Sequence, residues 1–313
     1  MKPTLSVIVT AYNRKEFLLE ALQSAVNQTL KRDKYEIICI KNFKDAKIDK
    51  YIKDNGIISI LEKEKPVGEY LYIATKKAKG KVLVFLDDDD LFSKDKLKRV
   101  HFAFSTYKVG FYHNLQLRNK KFQNEFPDIK ENDFMIIKYP YKHSFSIVLP
   151  ATANMSSIAI KRSILLGYSK ELKNLVTNPD SLSFIISLIS KADIFMDNNK
   201  LTFYRFHNKN TSYFKPLKKY LKFNKLVLAA YLYELELSDR NDIKLAKQIS
   251  KRLLFLLLTE QAIKINKRKD LIKAFKYLSL TMFTDKRIIK RFVLLILFLF
   301  GSSYPYKRLN MRV

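Results

Sequence analysis

The sequence predicts an α/β fold with a mainly parallel sheet, followed by an α-helical C-terminal region. Up to about residue 92, short apolar runs rich in β-branched residues alternate with amphipathic stretches of helical period. Continuous apolar strands joined through helices are typical of a parallel sheet that is covered on both faces. Beyond Lys215, long stretches rich in Leu, Lys and Ile show no strand pattern. We therefore expect one domain over 1–212 and a helical, basic region over 213–313.

The first part of the chain supplies the alternating elements. The expected strands span 5–10, 35–40, 57–61 and 82–86, and the expected helices span 15–28, 46–53 and 69–79. One stripe of the first helix is apolar: Phe17, Leu18, Ala21, Leu22, Ala25 and Val26. Such a stripe suits packing against a sheet. Gly80 lies where the C-terminal stop of a helix belongs.

From Ser93 to about Ser212 the pattern is mixed. We expect helices over 94–107 and 181–190, and strands over 109–117, 144–149, 156–161 and 201–207. Open parallel sheets bind ligands outside the carboxyl ends of their strands. The functional site is therefore expected at that edge of the sheet.

Composition narrows the possible partners. Lys and Arg number 59 against 30 Asp and Glu, a net charge of +29, which attracts phosphates, anionic lipid head groups or nucleic acid without choosing among them. The lysines are scattered and no RNA- or DNA-binding signature stands out, so no nucleic-acid partner is expected. The single cysteine, Cys39, lies in an apolar run, which favours a buried hydrophobic role and excludes a disulfide within the chain.

Four consecutive aspartates, Asp87 to Asp90, follow the apolar strand "VLVFL". Adjacent carboxylates repel one another unless a cation or another ligand group lies among them. Alternation along an extended backbone places Asp87 and Asp89 on the same side, which suits a shared ligand. The alternative is a solvated loop in which one aspartate caps the helix at 94, although four carboxylates exceed what a cap needs.

Three segments together resemble the family 2 glycosyltransferases, which have the GT-A fold. They are "LSVIVTAYNRKEFLLEALQSAVNQT" at 5–29, "AKGKVLVFLDDDDLF" at 78–92 and "LTFYRFHNKNTS" at 201–212. The resemblance spans roughly the first 212 residues. It implies a metal-dependent inverting transfer of a sugar from a nucleotide-sugar donor, with Mg²⁺ or Mn²⁺ neutralising the diphosphate that leaves.

The resemblance also assigns residues. Asp87 and Asp89 match the D-x-D pair of the family, in which the second carboxylate reaches the metal and the first lies nearer the ribose. Thr10, Ala11 and Tyr12 would line the nucleobase pocket, although Tyr12 could instead be a core aromatic. The expected donor-binding residues are Thr10, Ala11, Tyr12, Arg14, Asn42, Asp87, Asp88 and Arg205, and the expected metal ligands are Asp89 and His207. Arg205 would hold phosphate.

Asp180 is the expected catalytic base. It stands just before an amphipathic helix, where the family commonly has an acidic pair, but Asn178 and Pro179 precede it here and leave a single acid. An inverting transfer needs such a base to take the proton of the acceptor hydroxyl. An ordinary N-cap role for Asp180 or Ser181 is the alternative.

Two stretches depart from the family pattern. Residues 41–45 follow the second strand as Lys, Asn, Phe, Lys and Asp, where the family usually has an acid that reads the nucleotide. Leu71 and Tyr72 occupy positions where it often has Arg and Asn. These differences permit an altered donor or a degenerate enzyme.

The C-terminal part suggests a membrane surface. The apolar run at 292–300 has nine residues, about half of the roughly 20 needed to span a bilayer. Basic residues flank it: Lys286, Arg287, Lys290, Arg291, Lys307, Arg308 and Arg312. The run is expected to be either an interfacial anchor on an anionic leaflet or a buried helix. The apolar N-terminal run is too short for a secretory signal. We therefore expect a cytoplasmic protein, peripheral at the inner face of the cell membrane, with a lipid-linked or glycan acceptor.

Two other classes remain as alternatives. Phosphatases and mutases of the haloacid dehalogenase type also end a strand with D-x-D, but in the first strand and followed by Thr or Val, whereas Leu91 follows the fourth strand's aspartates here. A non-catalytic or degenerate basic protein that binds anionic membrane or nucleic acid would account for the charge alone. The sequence leaves the oligomeric state open.

Overall fold

The structure is a computed structural model that describes residues 3–63, 65–119, 125–142, 145–207, 210, 216–265, 271–278, 289 and 292. Two compact units are formed, one drawn from Met1–Lys142 and Pro150–His207 and the other from His143–Leu149 and Asn208–Val313. The domain boundary predicted between residues 212 and 213 lies outside the described residues.

The described residues of the first unit form a nine-stranded sheet. Its strands are β1 (Leu5–Ala11), β2 (Tyr35–Lys41), β3 (Ile58–Leu61), β4 (Val82–Asp87), β5 (Leu91–Phe92), β6 (Phe111–Asn119), β7 (Phe134–Ile137), β8 (Ile158–Lys161) and β9 (Ile194–Arg205). The order is β3-β2-β1-β4-β8-β6-β9-β5, with β7 beside β9. The first four strands in this order are parallel, as predicted, and β6 also runs parallel to β9. The other pairs are antiparallel, so the sheet is mixed.

The helices are α1 (Leu18–Val26), α2 (Ala46–Asp54), α3 (Val67–Lys77), α4 (Lys96–Thr106), α5 (Phe145–Val148), α6 (Arg162–Gly167), α7 (Ser169–Lys173), α8 (Pro179–Ile189), α9 (Leu217–Arg240), α10 (Lys244–Lys264) and α11 (Leu271–Phe275). In the first unit, the apolar stripe of α1 is confirmed, because four of its residues are fully buried against the sheet: Leu18, Ala21, Leu22 and Ala25. The helix begins three residues later than predicted, because the loop turns at Asn13, whose φ is +53°.

The second unit is helical where it is described, as predicted. Helices α9 and α10 pack together, and α10 also contacts α5 and α11. Among the described helices, none has the length and apolar character needed to cross a bilayer. The predicted membrane anchor at 292–300 lies outside the described residues except for residue 292.

One predicted strand is wrong, and two short strands, β5 and β7, were not predicted. The described part of 144–149 forms helix α5, because its buried residues Phe145, Val148 and Leu149 have the spacing of a helix rather than that of a strand. A short apolar run does not distinguish the two structures by itself. Strand β7 was missed, since it is only four residues long and alternates weakly, with Met135 46% exposed between partly buried neighbours.

Gly80 is required by close packing rather than by a helix stop. Helix α3 already ends at Lys77, with Ala78 as its C-cap. A Cβ atom on Gly80 would lie 2.6 Å from backbone atoms of Leu5 and Ser6, in the strand that forms the centre of the parallel region. The Gly80 N–H donates to Ser6 Oγ at 2.9 Å, so the segment cannot simply move away without losing this bond.

We expect Gly80→Ala to destabilise the protein by about 1–3 kcal/mol, because the added methyl group must displace backbone rather than a flexible side chain. Gly167→Ala is the matched control: a Cβ there has no heavy atom within 4 Å, so its effect should stay within about 0.5 kcal/mol. Thermal and urea unfolding measure both. Equal effects of the two substitutions would contradict the packing role of Gly80.

Candidate active site

The predicted site residues converge at the carboxyl edge of the parallel strands. Strand β1 lies between β2 and β4, and the register places Thr10 beside Asp87 and Ala11 beside Lys41. The loop that follows β1 and the aspartates that end β4 therefore emerge at the same edge of the sheet. Ligands of open parallel sheets bind at this edge.

The four aspartates form a tight buried turn rather than a solvated loop. Asp88, Asp89 and Asp90 are 4%, 6% and 1% exposed, and the Asp90 N–H donates to the Asp87 carbonyl oxygen at 3.2 Å. Burial, and then the charges of its acidic neighbours, raise the pKa of Asp87 well above its usual range. Burial raises the pKa of Asp90 to about 7 and that of Asp88 to about 6. Such a cluster favours binding of positive charge.

Arg14 supplies positive charge from the loop after β1. Its Nε donates to Asp88 Oδ2 at 3.0 Å, its Nη2 also contacts Asp88 Oδ1, and Nη2 lies 2.8 Å from Asp89 Oδ2. Burial acts to lower the pKa of Arg14, but the hydrogen bond and charge of Asp88, with those of the neighbouring aspartates, raise it overall. The Arg14 side chain is 17% exposed, so this ion pair is largely shielded from solvent.

Asn42 braces the loop that carries Arg14. Its Oδ1 accepts a hydrogen bond from the Asn13 N–H at 2.9 Å, and its Nδ2 donates to Asn13 Oδ1 at 2.7 Å. The pair bridges the ends of β1 and β2 and holds Asn13 at its positive φ. In the structure Asn42 thus holds the loop that carries Arg14, a role that the sequence did not predict; the sequence predicted only that Asn42 binds the donor.

The end of β9 closes the other side of the cluster. His207 Nε2 lies 2.8 Å from Asp89 Oδ2, and the same nitrogen is 3.5 Å from Arg14 Nη1. The Arg205 N–H donates to Asp90 Oδ1 at 3.2 Å, and Arg205 Nε donates to the Asp89 carbonyl oxygen at 3.1 Å. Arg205 Nη2 also donates to Glu20 Oε2 at 2.6 Å. The structure therefore brings Arg205, the last residue of β9, and His207, two residues after it, into contact with the aspartates.

Asp180 is joined to the cluster through Asn154. The Asn154 N–H donates to Asp180 Oδ2 at 2.8 Å, while Asn154 Nδ2 donates to Asp90 Oδ2 at 3.0 Å. Burial raises the pKa of Asp180, against the opposing effect of backbone hydrogen bonds that include those from Ser181 and Asn154. The N-cap position of α8 is Asn178, so neither Asp180 nor Ser181 holds the N-cap position that was the alternative.

The predicted nucleobase residues lie in order along the end of β1. Ala11 is buried, Thr10 is half-buried, and Tyr12 is 43% exposed. The Tyr12 ring contacts Tyr70 edge to face, with centroids 6.0 Å apart. This exposure at the edge of the sheet excludes the alternative of Tyr12 as a core aromatic.

Lys41 and Asp45 bound the stretch at 41–45 in which the sequence departs from the family resemblance. Lys41 is 2% exposed, and its Nζ lies 2.8 Å from Asp49 Oδ1. Asp45 caps α2 by accepting a hydrogen bond from the Ile48 N–H at 3.2 Å, and it pairs with Lys15. Lys41 thus pairs with a side chain of α2, and Asp45 contacts the backbone of α2 and the side chain of Lys15.

Three residues of the site were missed by the sequence analysis. Glu20 pairs with Arg205, Asn154 joins Asp90 to Asp180, and Ser156 Oγ accepts a hydrogen bond from the Asp87 N–H at 3.0 Å. Glu20 has the pattern of a polar residue on the outer face of α1, and the other two lie in an irregular segment. No local signal in the sequence identifies them, because each acts on a residue far along the chain.

The described residues contain no group of three or more His, Cys, Asp or Glu side chains arranged to hold a metal ion. A pair is present. Asp89 Oδ2 and His207 Nε2 contact each other at 2.8 Å, and a carboxylate oxygen and an imidazole nitrogen are both atoms that bind divalent metal ions. Mg²⁺ is commonly bound by one or two carboxylates together with substrate phosphates and water.

The chain is similar to known sugar-transferring proteins. The sequence profile described as Glycosyl transferase family 2 matches residues 6–165, which is 160 of the 313 residues. The poly(ribitol-phosphate) beta-glucosyltransferase of Bacillus spizizenii is 31% identical over 102 residues, which cover 30% of this chain and 16% of that protein. The chain thus aligns with a minor part of this relative's length.

A second relative and a solved structure extend the likeness. The UDP-Glc:alpha-D-GlcNAc-diphosphoundecaprenol beta-1,3-glucosyltransferase WfaP of Escherichia coli is 34% identical over 122 residues, covering 38% of this chain and 48% of WfaP. The crystal structure of S. aureus TarS 1-349 in complex with UDP-GlcNAc superimposes with a TM-score of 0.59 at 14% identity, covering 99% of this chain and 90% of that one. The latter likeness establishes the fold, in agreement with the predicted GT-A architecture.

We expect Asn154→Asp to destabilise the protein by about 1–3 kcal/mol, because it replaces the amide that donates to the buried Asp90 with a second carboxylate. Asp tolerates a positive φ nearly as well as Asn, so the φ of +69° at residue 154 adds little to this effect. Asn198→Asp is the matched control, since Asn198 Nδ2 donates to Asp133 Oδ1 at 2.8 Å in an exposed setting. Urea unfolding at pH 7.5 should show a change within about 0.5 kcal/mol for the control. If Asn198→Asp destabilised the protein more than Asn154→Asp does, the hydrogen bond from Asn154 to Asp90 would not be the cause of the loss of stability.

Proposed function

Because the chain belongs to glycosyl transferase family 2, we propose that it transfers a hexosyl group, with inversion, from a nucleotide-sugar donor to a hydroxyl of a lipid-linked or glycan acceptor. The observation that carries this proposal is the buried aspartate turn at the carboxyl end of β4, with Arg14, His207 and Asp180 gathered around it. The names of WfaP and the Bacillus relative support the reaction class and a membrane-linked or polymeric glycan acceptor.

The donor would lie along the end of β1 and over the aspartate turn. The exposed ring of Tyr12, with Thr10 and Ala11 beside it, is placed to contact the nucleobase. Asp87 ends the adjacent strand and is half-buried at the same edge, which suits the ribose. Arg14 and Arg205 bring positive charge to the region of the diphosphate, where Arg is suited to phosphate binding.

We propose Mg²⁺ or Mn²⁺ as the cofactor, held by Asp89 and His207. The two donor atoms lie 2.8 Å apart, and diphosphate oxygens and water would supply the other ligands. When bound, the ion supplies charge neutralisation of the departing diphosphate. Ligation by His207 Nε2 requires the lone pair of that nitrogen, so its proton must reside on Nδ1 in the metal-bound protein.

Asp180 is the proposed general base. It would take the proton of the acceptor hydroxyl as the oxygen attacks the anomeric carbon, while the bond from that carbon to the diphosphate oxygen breaks and its electron pair leaves with the diphosphate. Attack opposite the leaving group inverts the anomeric centre. Burial raises the pKa of Asp180, which strengthens it as a base, and the Asn154 N–H fixes one of its oxygens.

A peripheral position at the inner face of the cell membrane is proposed for the protein. The net charge of +29 and the basic residues that flank the apolar run at 292–300 favour binding to an anionic leaflet. WfaP, by its name, acts on a diphosphoundecaprenol-linked sugar. An acceptor of that kind would place the substrate at the membrane surface.

We expect Asp89→Asn and Asp180→Asn to fail at different steps. Asp89→Asn should lose the Mn²⁺-dependent binding of UDP-glucose or UDP-GlcNAc, measured as a thermal shift, because it removes a metal ligand. Asp180→Asn should retain that shift but turn over the donor about 10²–10⁴-fold more slowly, because only the base is removed. Chromatography of the released nucleotide measures turnover.

The control for both is Asp54→Asn, which changes a 51% exposed carboxylate paired with Lys50 on α2 and should alter neither readout. Turnover by Asp89→Asn at the wild-type rate in excess chelator would overturn the metal requirement. A wild-type rate in Asp180→Asn would remove Asp180 from the role of base.

Membrane binding is tested by flotation of the full chain with vesicles containing anionic lipid. We expect the combined change of Lys286, Arg287, Lys290 and Arg291 to Ser to weaken binding on the order of 10³-fold, since each basic residue near the surface contributes about 1 kcal/mol. The matched control changes four exposed lysines of the first unit to Ser: Lys31, Lys47, Lys53 and Lys98. Equal losses in the two variants would show that net charge, rather than this segment, binds the vesicles.

A further inference from the structure

Arg14 already acts as the counter-cation of the aspartate turn. Its guanidinium contacts both oxygens of Asp88 and one oxygen of Asp89, and both carboxylates are buried. Without this partner, two buried negative charges would lie next to each other with less compensation. Removing one partner of a buried ion pair is strongly destabilising for the charge that is left.

The same guanidinium lies against the two atoms proposed to bind metal. Asp89 Oδ2 is 2.8 Å from Arg14 Nη2 and 2.8 Å from His207 Nε2, and Arg14 Nη1 is 3.5 Å from that His207 nitrogen. A divalent ion that takes both atoms as ligands therefore competes with contacts that Arg14 makes. Two cations close to one shared carboxylate also repel each other.

The position of Arg14 is fixed by contacts of its loop and of its own guanidinium group. The reciprocal hydrogen bonds between Asn13 and Asn42 fix the residue before it, and strand β1 enters the loop from the buried centre of the sheet. The bidentate contact with Asp88 fixes the guanidinium plane itself. The Arg14 guanidinium, which competes with a metal ion for Asp89, is thus held beside this carboxylate by the fold itself.

We propose that Arg14 is a resident counter-cation that a divalent ion must displace from Asp89, so that the metal binds weakly to the protein alone. This inference rests on the proposed function, since it takes Asp89 and His207 as the metal ligands. Arg14 then lowers the affinity of the protein for free metal. This effect is separate from any contact that Arg14 makes with the donor. Its effect is on binding and is measurable without turnover.

The test is Mn²⁺ binding to the full chain without nucleotide, followed by electron paramagnetic resonance of free Mn²⁺ and by calorimetry. We expect Arg14→Met to bind Mn²⁺ at least about tenfold more tightly than the wild type, because the competing cation is gone while the apolar length of the side chain is kept. Arg14→Lys should bind Mn²⁺ less tightly than Arg14→Met, because it restores the positive charge. Circular dichroism confirms that each variant is folded.

Lys15→Met is the matched control, because it removes one positive charge from the next residue, which is 63% exposed and pairs with Asp45 instead of the aspartate turn. It should change Mn²⁺ affinity less than twofold. Equal tightening in Lys15→Met and Arg14→Met would assign the effect to general electrostatics and overturn the inference.

The remaining outcomes separate this inference from the proposed function. If Asp89→Asn abolishes Mn²⁺ binding but Arg14→Met binds no more tightly than the wild type, the metal site stands and displacement of Arg14 is refuted. If neither the wild type nor Arg14→Met binds Mn²⁺ without nucleotide, displacement of Arg14 is refuted, while the Mn²⁺-dependent thermal shift with the donor still reports on Asp89 as a metal ligand and donor turnover in chelator still reports on the transferase activity.

Discussion

The structure of the site depends on one constraint: four adjacent carboxylates, three of them on buried residues and the fourth on the half-buried Asp87, lie at the end of a central strand and their charge must be compensated. The partners come from separate parts of the first unit, with Arg14 from the loop after β1, Asn154 from the segment before β8, and Arg205 and His207 from the end of β9. These segments are far apart in sequence. The need to compensate buried charge therefore accounts for why they converge at this edge of the sheet.

A second layer of polar contacts supports the cluster from within the sheet. Ser156 Oγ accepts from the Asp87 N–H, and the Ser156 carbonyl oxygen accepts from Thr202 Oγ1 at 3.1 Å. Asn114 Nδ2 donates to Thr202 Oγ1 at 3.1 Å, and the buried Lys96 Nζ donates to Asn114 Oδ1. Burial lowers the pKa of Lys96 to about 7, against the charge of Asp197. Polar networks of this kind fix a single arrangement when all members are paired.

The sequence predicts the elements that depend on neighbouring residues, but it does not predict contacts between residues that are far apart in the chain. Strands β1 to β4 and helix α1 could be predicted because continuous apolar runs and a helical apolar stripe depend on neighbouring residues only. The aspartate cluster could also be predicted from the sequence, because its four residues are consecutive. Glu20 could not be found, because its partner Arg205 lies 185 residues away and nothing near Glu20 in the sequence distinguishes it from a solvated side chain. Asn154 was missed for a similar reason, since its two acidic partners lie 64 and 26 residues away.

The two-residue strand β5 has a consequence for how the site meets a ligand. It pairs Leu91 with Phe203 and Phe92 with Thr202, so the aspartate turn is fastened to the backbone of β4 on one side and to that of β9 on the other. The backbone of the turn is therefore held at both ends before a ligand arrives. Little backbone entropy remains to be lost on binding, and more of the interaction free energy appears as affinity.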